Sequence, residues 1–336
     1  MGGSEDFIMN IFHSVAELPS AHAPVVATIG NFDGVHLGHQ SVIAEVIARA
    51  RALSGESLAI TFDPHPARVL RPTQPFPLIT PLPRKLDLLA ATGIDAALVL
   101  PFTQALSQMS AHDFAQTILK QAIHATEVHE GENFRFGHRA QAGVATAENS
   151  VTSLEALGHE LGYGVCDYAP RTLRGGPISS SRIRTLIASG NVSQTRTLLG
   201  RPFCIDSTPA AGRGYGTRYT VPTINLAPYA DLLPANGVYV TTLTIGAGPE
   251  AETFEAVTNI GNRPTFGADS FAVESHLLNF RPIALDEQTP LRLTFLLRLR
   301  PEIKWPNPEA LRTQIGLDLS RARRYFALTG LLATAS

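Results

Sequence analysis

Two histidines three residues apart, His36 and His39, stand in the stretch Gly30-Asn31-Phe32-Asp33-Gly34-Val35-His36-Leu37-Gly38-His39. The apolar run Val25–Ile29 before them reads as a buried strand. Ser41–Leu53 after them carries apolar residues at Val42, Ile43, Val46, Ile47 and Ala50, which is helical spacing. The histidines therefore fall where a strand turns into a helix. A helix start offers free N–H groups and the positive end of the dipole, which suits an anion. Imidazoles there can donate hydrogen bonds to phosphate, and Gly34 and Gly38 leave room for close approach of a ligand to the backbone. One alternative is a metal site built from Asp33, His36, His39 and His65. The spacing argues against it, because helical ligand pairs more often sit four apart and zinc sites usually add cysteine or a third clear ligand. A second alternative is a plain loop with solvated histidines. The joint occurrence of strand, Asp, two His and two Gly favours the phosphate reading.

Ile178-Ser179-Ser180-Ser181-Arg182-Ile183-Arg184 is the second stretch with chemistry in it. The serines can cap a helix running to Ser189, and Arg182 and Arg184 near its start add planar forks of donors for phosphate. Alone this would be an ordinary capped surface helix. Beside the histidine turn it reads as a second set of cationic donors, which triphosphate transfer requires.

The elements that must position these groups alternate. Val25–Ile29, Leu58–Phe62, Ala96–Phe102 and Val165–Tyr168 are short apolar runs, and Arg84–Ala91 and Ala111–Ile123 have helical spacing. That predicts βαβ units and a parallel sheet, whose ligands bind beyond the carboxyl ends of the strands. Arg71 to Pro83 holds five prolines and no periodicity, so it reads as a loop of the kind that can close over a ligand. The second half changes character. Val238–Ile245, Phe254–Ile260, Phe271–Phe280 and Leu291–Arg300 alternate and are rich in β-branched residues, which predicts an antiparallel sheet or small barrel. A final helix follows, capped by Asn307, begun at Pro308, with a stripe of Leu311, Ile315, Leu319 and Phe326. The boundary is expected between Gly190 and Phe203, giving domains 1–190 and 191–336.

Bulk properties narrow the partners. The 336 residues carry a net charge of −2, with 13 Lys/Arg against 17 Asp/Glu up to Asn191 and 14 against 12 beyond it. Neither half is a basic nucleic-acid module. Two cysteines, Cys166 and Cys204, imply no disulfide framework and read as small core residues. No apolar run approaches a membrane span, and no signal-peptide pattern is present, so a cytoplasmic protein is expected.

The ordered set of motifs resembles the bacterial bifunctional riboflavin kinase/FAD synthetase family. It comprises the histidine turn, Thr61-Phe62-Asp63-Pro64-His65-Pro66, Gly131-Glu132-Asn133-Phe134-Arg135-Phe136-Gly137 and Ile178–Arg184. It continues with Leu199-Gly200-Arg201-Pro202-Phe203, Val221-Pro222-Thr223-Ile224-Asn225, Gly237-Val238-Tyr239, Asn259–Phe266 and Val273-Glu274-Ser275-His276-Leu277-Leu278. The resemblance implies a Rossmann-like nucleotidyltransferase domain (FMN adenylyltransferase) followed by an antiparallel β-barrel riboflavin kinase domain with a C-terminal helix. It implies phosphorylation of riboflavin to FMN, then adenylylation of FMN to FAD with release of pyrophosphate. The substrates would be ATP with Mg2+, riboflavin and FMN. In the first domain it places His36 and His39 on phosphate, with Asn31, Asp33, Gly38, Ser180, Arg182 and Arg184 in the ATP site, and Phe62, Asn133 and Phe136 around the flavin. In the second, Thr223 and Asn225 hold the magnesium–nucleotide and Glu274 is the catalytic base. The segment Ser207 to Val221 departs from the family pattern, with Thr220 and Val221 in place of a common Gly-Phe and Thr217 in place of a usual Arg. An adenylyltransferase with an inactive, flavin-binding kinase domain is therefore the alternative. A monomer or weak oligomer is expected, with no nucleic-acid or membrane partner.

Overall fold

The computed structural model describes residues 8–19, 23–131, 151–210, 223–262, 271–279, 281 and 285–334. The chain folds as two compact units, Met1–Ser180 and Ser181–Ser336.

The first unit is a six-stranded parallel sheet: β1 (Asn10–Phe12), β2 (Val25–Ile29), β3 (Glu56–Asp63), β4 (Ala96–Pro101), β5 (Ala125–Gly131) and β6 (Gly164–Tyr168), in the order β1-β4-β3-β2-β5-β6. β2 is buried at every residue, as its unbroken apolar run requires of a central parallel strand covered on both faces. Its side chains alternate between layers. Val25, Ala27 and Ile29 pack toward Phe114, Ala115, Ile118, Leu119 and Leu154, whereas Val26 packs against Val46 and Ala50 of helix α1 (Leu37–Ala52). The chain winds from β2 toward β3 and β4 on one side, and β5 and β6 lie on the other. The β2/β5 junction is therefore the topological switch point, where such sheets open a crevice at their carboxyl ends. Helices α2 (Pro66–Leu70), α3 (Leu82–Ala90), α4 (Gln104–Gln108), α5 (Ala111–Phe114) and α6 (Val151–Leu161) complete the layers.

Three details differ from the sequence reading. α1 starts at Leu37, ahead of Ser41, because His36 itself caps it. The helix expected over Ala111–Ile123 turns π-helical over Ala115–Ala122, with Ile123 N–H bonding Ile118 O five residues back at 3.0 Å. Asn10–Phe12 adds an edge strand that three residues could not announce.

The second unit opens with helices α7 (Ser180–Ala188) and α8 (Val192–Leu199). Six antiparallel strands follow: β7 (Phe203–Ser207), β8 (Thr223–Asn225), β9 (Gly237–Ile245), β10 (Glu252–Asn262), β11 (Phe271–Leu277) and β12 (Leu291–Pro301), in the order β7-β12-β9-β10-β11-β8. The chain just after β7 meets the chain around β8. Ala210 N–H donates to Asn225 O and Ala227 N–H to Thr208 O, each at 2.8 Å, so the sheet curls back on itself. Register shifts in β12 between Phe295 and Leu297 and between Arg298 and Arg300 supply the bend. Inside, Phe295 meets Phe203 and Tyr239 with ring centroids 5.9 and 5.5 Å apart. A hydroxyl ladder, Thr241–Thr258–Ser275, crosses three strands at 2.7 and 3.0 Å and satisfies polar groups that have no water.

Packing places the division ten residues before the expected one at Gly190. Arg298 donates to Ser189 O at 3.0 Å and Asn236 O at 2.7 Å, tying the end of α7 to the barrel. Gly190 is left-handed (φ 77°), and a Cβ there would sit 2.8 Å from Arg298 and from the Tyr239 hydroxyl.

The C-terminal helix α9 (Pro308–Thr334) lies on the outer face of β9 and β10. Ala322 and Leu319, Tyr325 and Phe326 pack against Val238, Val240 and Val257 there. The expected stripe holds at Leu319 and Phe326 only. Leu311 and Ile315 are exposed, because the inward face is set by Asp318, which reaches Arg300 at 2.8 Å. Both cysteines are free and half-buried, where core positions were expected. Among the described residues no helix is long and apolar enough to cross a membrane.

Candidate functional sites

In the first unit a cavity of about 320 Å3 lies at the carboxyl ends of β2, β5 and β6, lined among others by Asn31, His36, Gly38, His39, Glu130, Tyr168 and Ser180. The turn that enters it is strained. Phe32 (φ 47°), Gly34 (φ 89°) and Val35 (φ 35°) are all left-handed, and for Phe and Val that conformation is unfavourable. Burial holds it: Phe32 and Val35 are 3% and 1% exposed.

His36 caps α1 with its ring. Nδ1 accepts the His39 N–H at 3.2 Å, so in the neutral imidazole the proton is on Nε2, a donor. The His36 and His39 rings stack with centroids 3.6 Å apart, and Phe32 meets His39 edge-on at 5.2 Å. Gly38 is needed because a Cβ there would lie 3.1 Å from His36 Nδ1. The helix start and the two imidazoles thus form a donor-rich end of the cavity.

Asp33 does something the sequence could not show. Its carboxylate is 2% exposed and is engaged with backbone amides, from Ile79 at 3.0 and 3.1 Å and Thr80 at 2.9 Å. Thr80 Oγ1 in turn accepts from Gly34 N–H at 2.9 Å. The proline-rich segment is a loop, as expected, but its Ile79–Thr80 end is pinned under the histidine turn. Ser180 Oγ donates to Asp33 O at 2.8 Å, which joins the two phosphate motifs directly. Arg182 and Arg184 follow on α7, flanking Ile183, which is fully buried. His65, weighed above as a metal ligand, caps α2 through Nδ1 and stacks on Phe76. Phe62 packs edge-on against Phe102 at 5.6 Å and is not among the residues lining the cavity. Asn133 and Phe136 lie outside the described residues.

Two ionisable residues were missed. Lys85, 5% exposed, reaches from α3 to Thr61 Oγ1 at 3.0 Å, Phe62 O at 3.2 Å and Asn31 O at 3.3 Å. Burial pushes its pKa down to about 8 against the pull of Asp33 and Asp63. A lysine in register with buried Leu88 and Leu89 on one helix face was the available signal. Glu130 is buried at the split between β2 and β5, and its carboxyl accepts the Ile29 N–H. Burial drives its pKa well above the usual carboxylate range, which favours the protonated form.

In the second unit β8 pairs with β11 so that Glu274 lies opposite Asn225 and His276 opposite Thr223. Thr223, Asn225, Glu274 and His276 are half-buried and alternate with the fully buried Ile224, Val273, Ser275 and Leu277. Alternation therefore puts all four on the outer face of the barrel. Thr223 Oγ1 and His276 Nδ1 are 3.2 Å apart. Burial, with a smaller push from Arg323 on α9, lowers the His276 pKa and keeps it a neutral hydrogen-bonding group. Pro222 and residues 211–221 of the divergent loop lie outside the described residues.

Comparison with known proteins finds relatives of both halves of the chain. The family model for FAD synthetase matches residues 18–182 and that for riboflavin kinase residues 199–326. Together they define a two-domain enzyme of flavin-nucleotide synthesis. A "Bifunctional riboflavin kinase/FMN adenylyltransferase" from Pseudomonas fluorescens is 31% identical over 94% of this chain and 97% of its own length. One of the same description from Escherichia coli K12 is 29% identical with the same coverage. A crystal structure described as a macrolide-efflux protein from Streptococcus pneumoniae superposes with a TM-score of 0.79, over 94% of this chain and 99% of that one. At 24% identity that likeness concerns the fold alone. The chain belongs to the bifunctional riboflavin kinase/FMN adenylyltransferase family. It carries both enzyme domains, so the adenylyltransferase-only alternative is not favoured.

Proposed function

We propose that the cavity at the β2–α1 turn is where FMN is adenylylated and that the outer face of the barrel at Glu274 is where riboflavin is phosphorylated. The observation that carries the first assignment is the His36-capped helix start with its donors turned to one cavity. An FMN phosphate oxygen attacks the α-phosphorus of ATP and pyrophosphate leaves. No protein nucleophile is needed, so the work is positioning and charge stabilisation. His36 Nε2–H, the His39 ring and the amides of Leu37 and Gly38 serve the phosphates, Ser180 holds the turn beside them through Asp33 O, and Lys85 adds positive potential beneath Asn31. We assign Arg182 and Arg184 to the triphosphate, and Asn133, Phe136 and Phe62 to the flavin. Asp33 acts indirectly, by fixing the turn.

At the barrel, Glu274 takes the proton of the ribityl 5′-hydroxyl as that oxygen attacks the γ-phosphorus. Thr223 and Asn225 offer a hydroxyl and an amide oxygen two residues apart on one face. That is a hard-oxygen donor set suited to Mg2+ shared with ATP phosphates. Bound there, the ion would neutralise charge on the phosphates. His276 holds the Thr223 hydroxyl. The activities divide in the stretch between 182 and 199, in keeping with functional domains of 1–190 and 191–336. We further propose action in the cytoplasm as a monomer or weak oligomer. No nucleic-acid partner is expected, which the net charge of −2 supports.

The test is to incubate pure protein with riboflavin and MgATP and to separate riboflavin, FMN and FAD by chromatography. His36→Ala and His39→Ala should let FMN accumulate while FAD formation falls on the order of 100-fold or more. Glu274→Gln should stop FMN formation, by roughly 100- to 10,000-fold, yet still convert supplied FMN to FAD. FAD synthesis unaffected by either histidine change would remove the first assignment, and normal FMN formation by Glu274→Gln the second.

A further inference from the structure

A chain of four side chains runs across the first unit and ends in the cavity. Arg49 on α1 grips both oxygens of Glu127, with Nε at 2.8 Å from Oε2 and a terminal nitrogen at 2.6 Å from Oε1. Glu127 Oε2 lies 3.2 Å from His129 Nε2, and His129 Nδ1 lies 2.9 Å from the hydroxyl of Tyr168. Tyr168 lines the cavity that His36 and His39 enter. The strands are built for this. Gly164 sits opposite Glu127, where a Cβ would press on the Glu127 side chain at 3.2 Å. Gly131 is the register partner of Tyr168 on the neighbouring strand.

The order of the chain fixes every proton. Arg49 is a permanent cation, and its hydrogen bonds hold the Glu127 carboxyl below the usual range, so Glu127 is ionised and can only accept. When the His129 ring carries a single proton, the Glu127 acceptor draws it to Nε2 and leaves Nδ1 a lone pair. Tyr168 O–H donates to that lone pair, so the oxygen of this cavity-lining residue is left with acceptor capacity only. An acceptor repels phosphate oxygens. It suits the N–H and O–H groups of a nucleoside. The same cavity carries the donors of the histidine turn, and its volume of about 320 Å3 is at the small end for a single ligand.

We propose that Tyr168 binds the nucleoside part of ATP through its oxygen, and that Arg49, Glu127 and His129 are positioning residues that keep that oxygen an acceptor. This rests on the cavity being the adenylyl-transfer site. Cys166 completes a Glu–His–Cys group whose ligand atoms lie within 4.8 Å of one another. Zinc is the competing ligand for that group; Arg49 already engages both Glu127 oxygens, and equilibrium dialysis decides between the two.

The experiment measures FAD synthesis from supplied FMN. Tyr168→Phe should raise KM for MgATP roughly 3- to 10-fold, the loss of one neutral hydrogen bond, with kcat and the KM for FMN unchanged. His129→Leu should do the same, and should add nothing further in the Tyr168→Phe background. His129→Gln, whose amide can donate to Glu127 and accept from Tyr168, should restore the wild-type KM. An unchanged KM for MgATP in Tyr168→Phe, a shift in the KM for FMN instead, or additive effects would overturn the proposal. So would equilibrium dialysis showing one zinc ion bound by wild type and lost in Cys166→Ser. His36→Ala separates the two levels. If it too leaves FAD synthesis intact, the cavity assignment falls and this inference with it. If it abolishes FAD synthesis while Tyr168→Phe changes nothing, only this inference falls.

Discussion

Replacing Asp33 by alanine separates a ligand from a fastener. Its carboxylate is buried and holds two backbone donors, Ile79 N–H and Thr80 N–H, between 2.9 and 3.1 Å. Alanine leaves both without an acceptor in a site closed to water. Each orphaned buried donor costs roughly 1–3 kcal/mol, so the change should destabilise the first unit by roughly 2–6 kcal/mol. Against a typical total of about 5–15 kcal/mol that is a large share. Asparagine can place its oxygen where Oδ1 bonds both amides, but its NH2 then confronts Ile79 N–H, so about half the loss is expected. Tryptophan fluorescence would miss all of this, because the single tryptophan, Trp305, is in the second unit. The assay is hydrogen exchange at the Ile79 and Thr80 amides together with urea unfolding followed on first-unit amides. Faster exchange at both amides and an earlier first-unit transition are the expected result. Native protection with only a raised KM for MgATP would refute the reasoning and return Asp33 to the substrate.

Three other outcomes follow from the same geometry. Lys85 has a folded pKa of about 8, below its unfolded value, so its charged form costs stability in full below pH 8 and the cost is relieved as pH rises from 8 toward 10.5. Wild type should therefore gain on the order of 3 kcal/mol across that window relative to Lys85→Met, measured by urea unfolding of the first unit at several pH values; parallel curves would refute it. Gly38→Ala pushes on the His36 ring and should lower the kcat of FAD synthesis at least tenfold while FMN formation stays normal, as rates of the two steps would show. Asp318→Ala removes the carboxylate from the half-buried Arg300 guanidinium and should cost roughly 1.5–3 kcal/mol in the second unit. Trp305, whose ring lies 5.4 Å from the Arg300 guanidinium carbon, reports that transition in a thermal melt.

What could be read from the sequence was what repeats along it. The runs at Val25–Ile29, Leu58–Phe62 and Ala96–Phe102 became neighbouring parallel strands because period and length alone set them. The alternation around Glu274 put it on one face with His276, whereas the pairing that brings Thr223 and Asn225 beside them joins segments about 50 residues apart and had no local signal. The histidine turn was legible because strand, glycines and helix are contiguous. What escaped depends on partners distant in the chain. Asp33 looked like a phosphate ligand because its amide partners lie 46 and 47 residues away. Glu130 meets Ile29 across 101 residues and Tyr168 meets His129 across 39, and no local pattern encodes either. The α9 stripe was misread at Leu311 and Ile315 because Asp318, a charged residue, set the inward face by reaching Arg300.

The left-handed turn at Phe32 and Val35 has a consequence for mutational tolerance. Each residue is held against its backbone preference by the burial of its own side chain. Glycine would relax the backbone but empty the core, and another large apolar residue would fill the core but keep the strain. No single substitution improves both. The two terms are tied together in one residue, and the histidine that caps α1 depends on the result. In a saturation library selected for FAD production, positions 32 and 35 should tolerate as little change as His36 itself, although neither lends a polar group to a substrate. Such a selection would score them as active-site residues, and only an independent measure of folding would show that their constraint comes from the chain's own geometry.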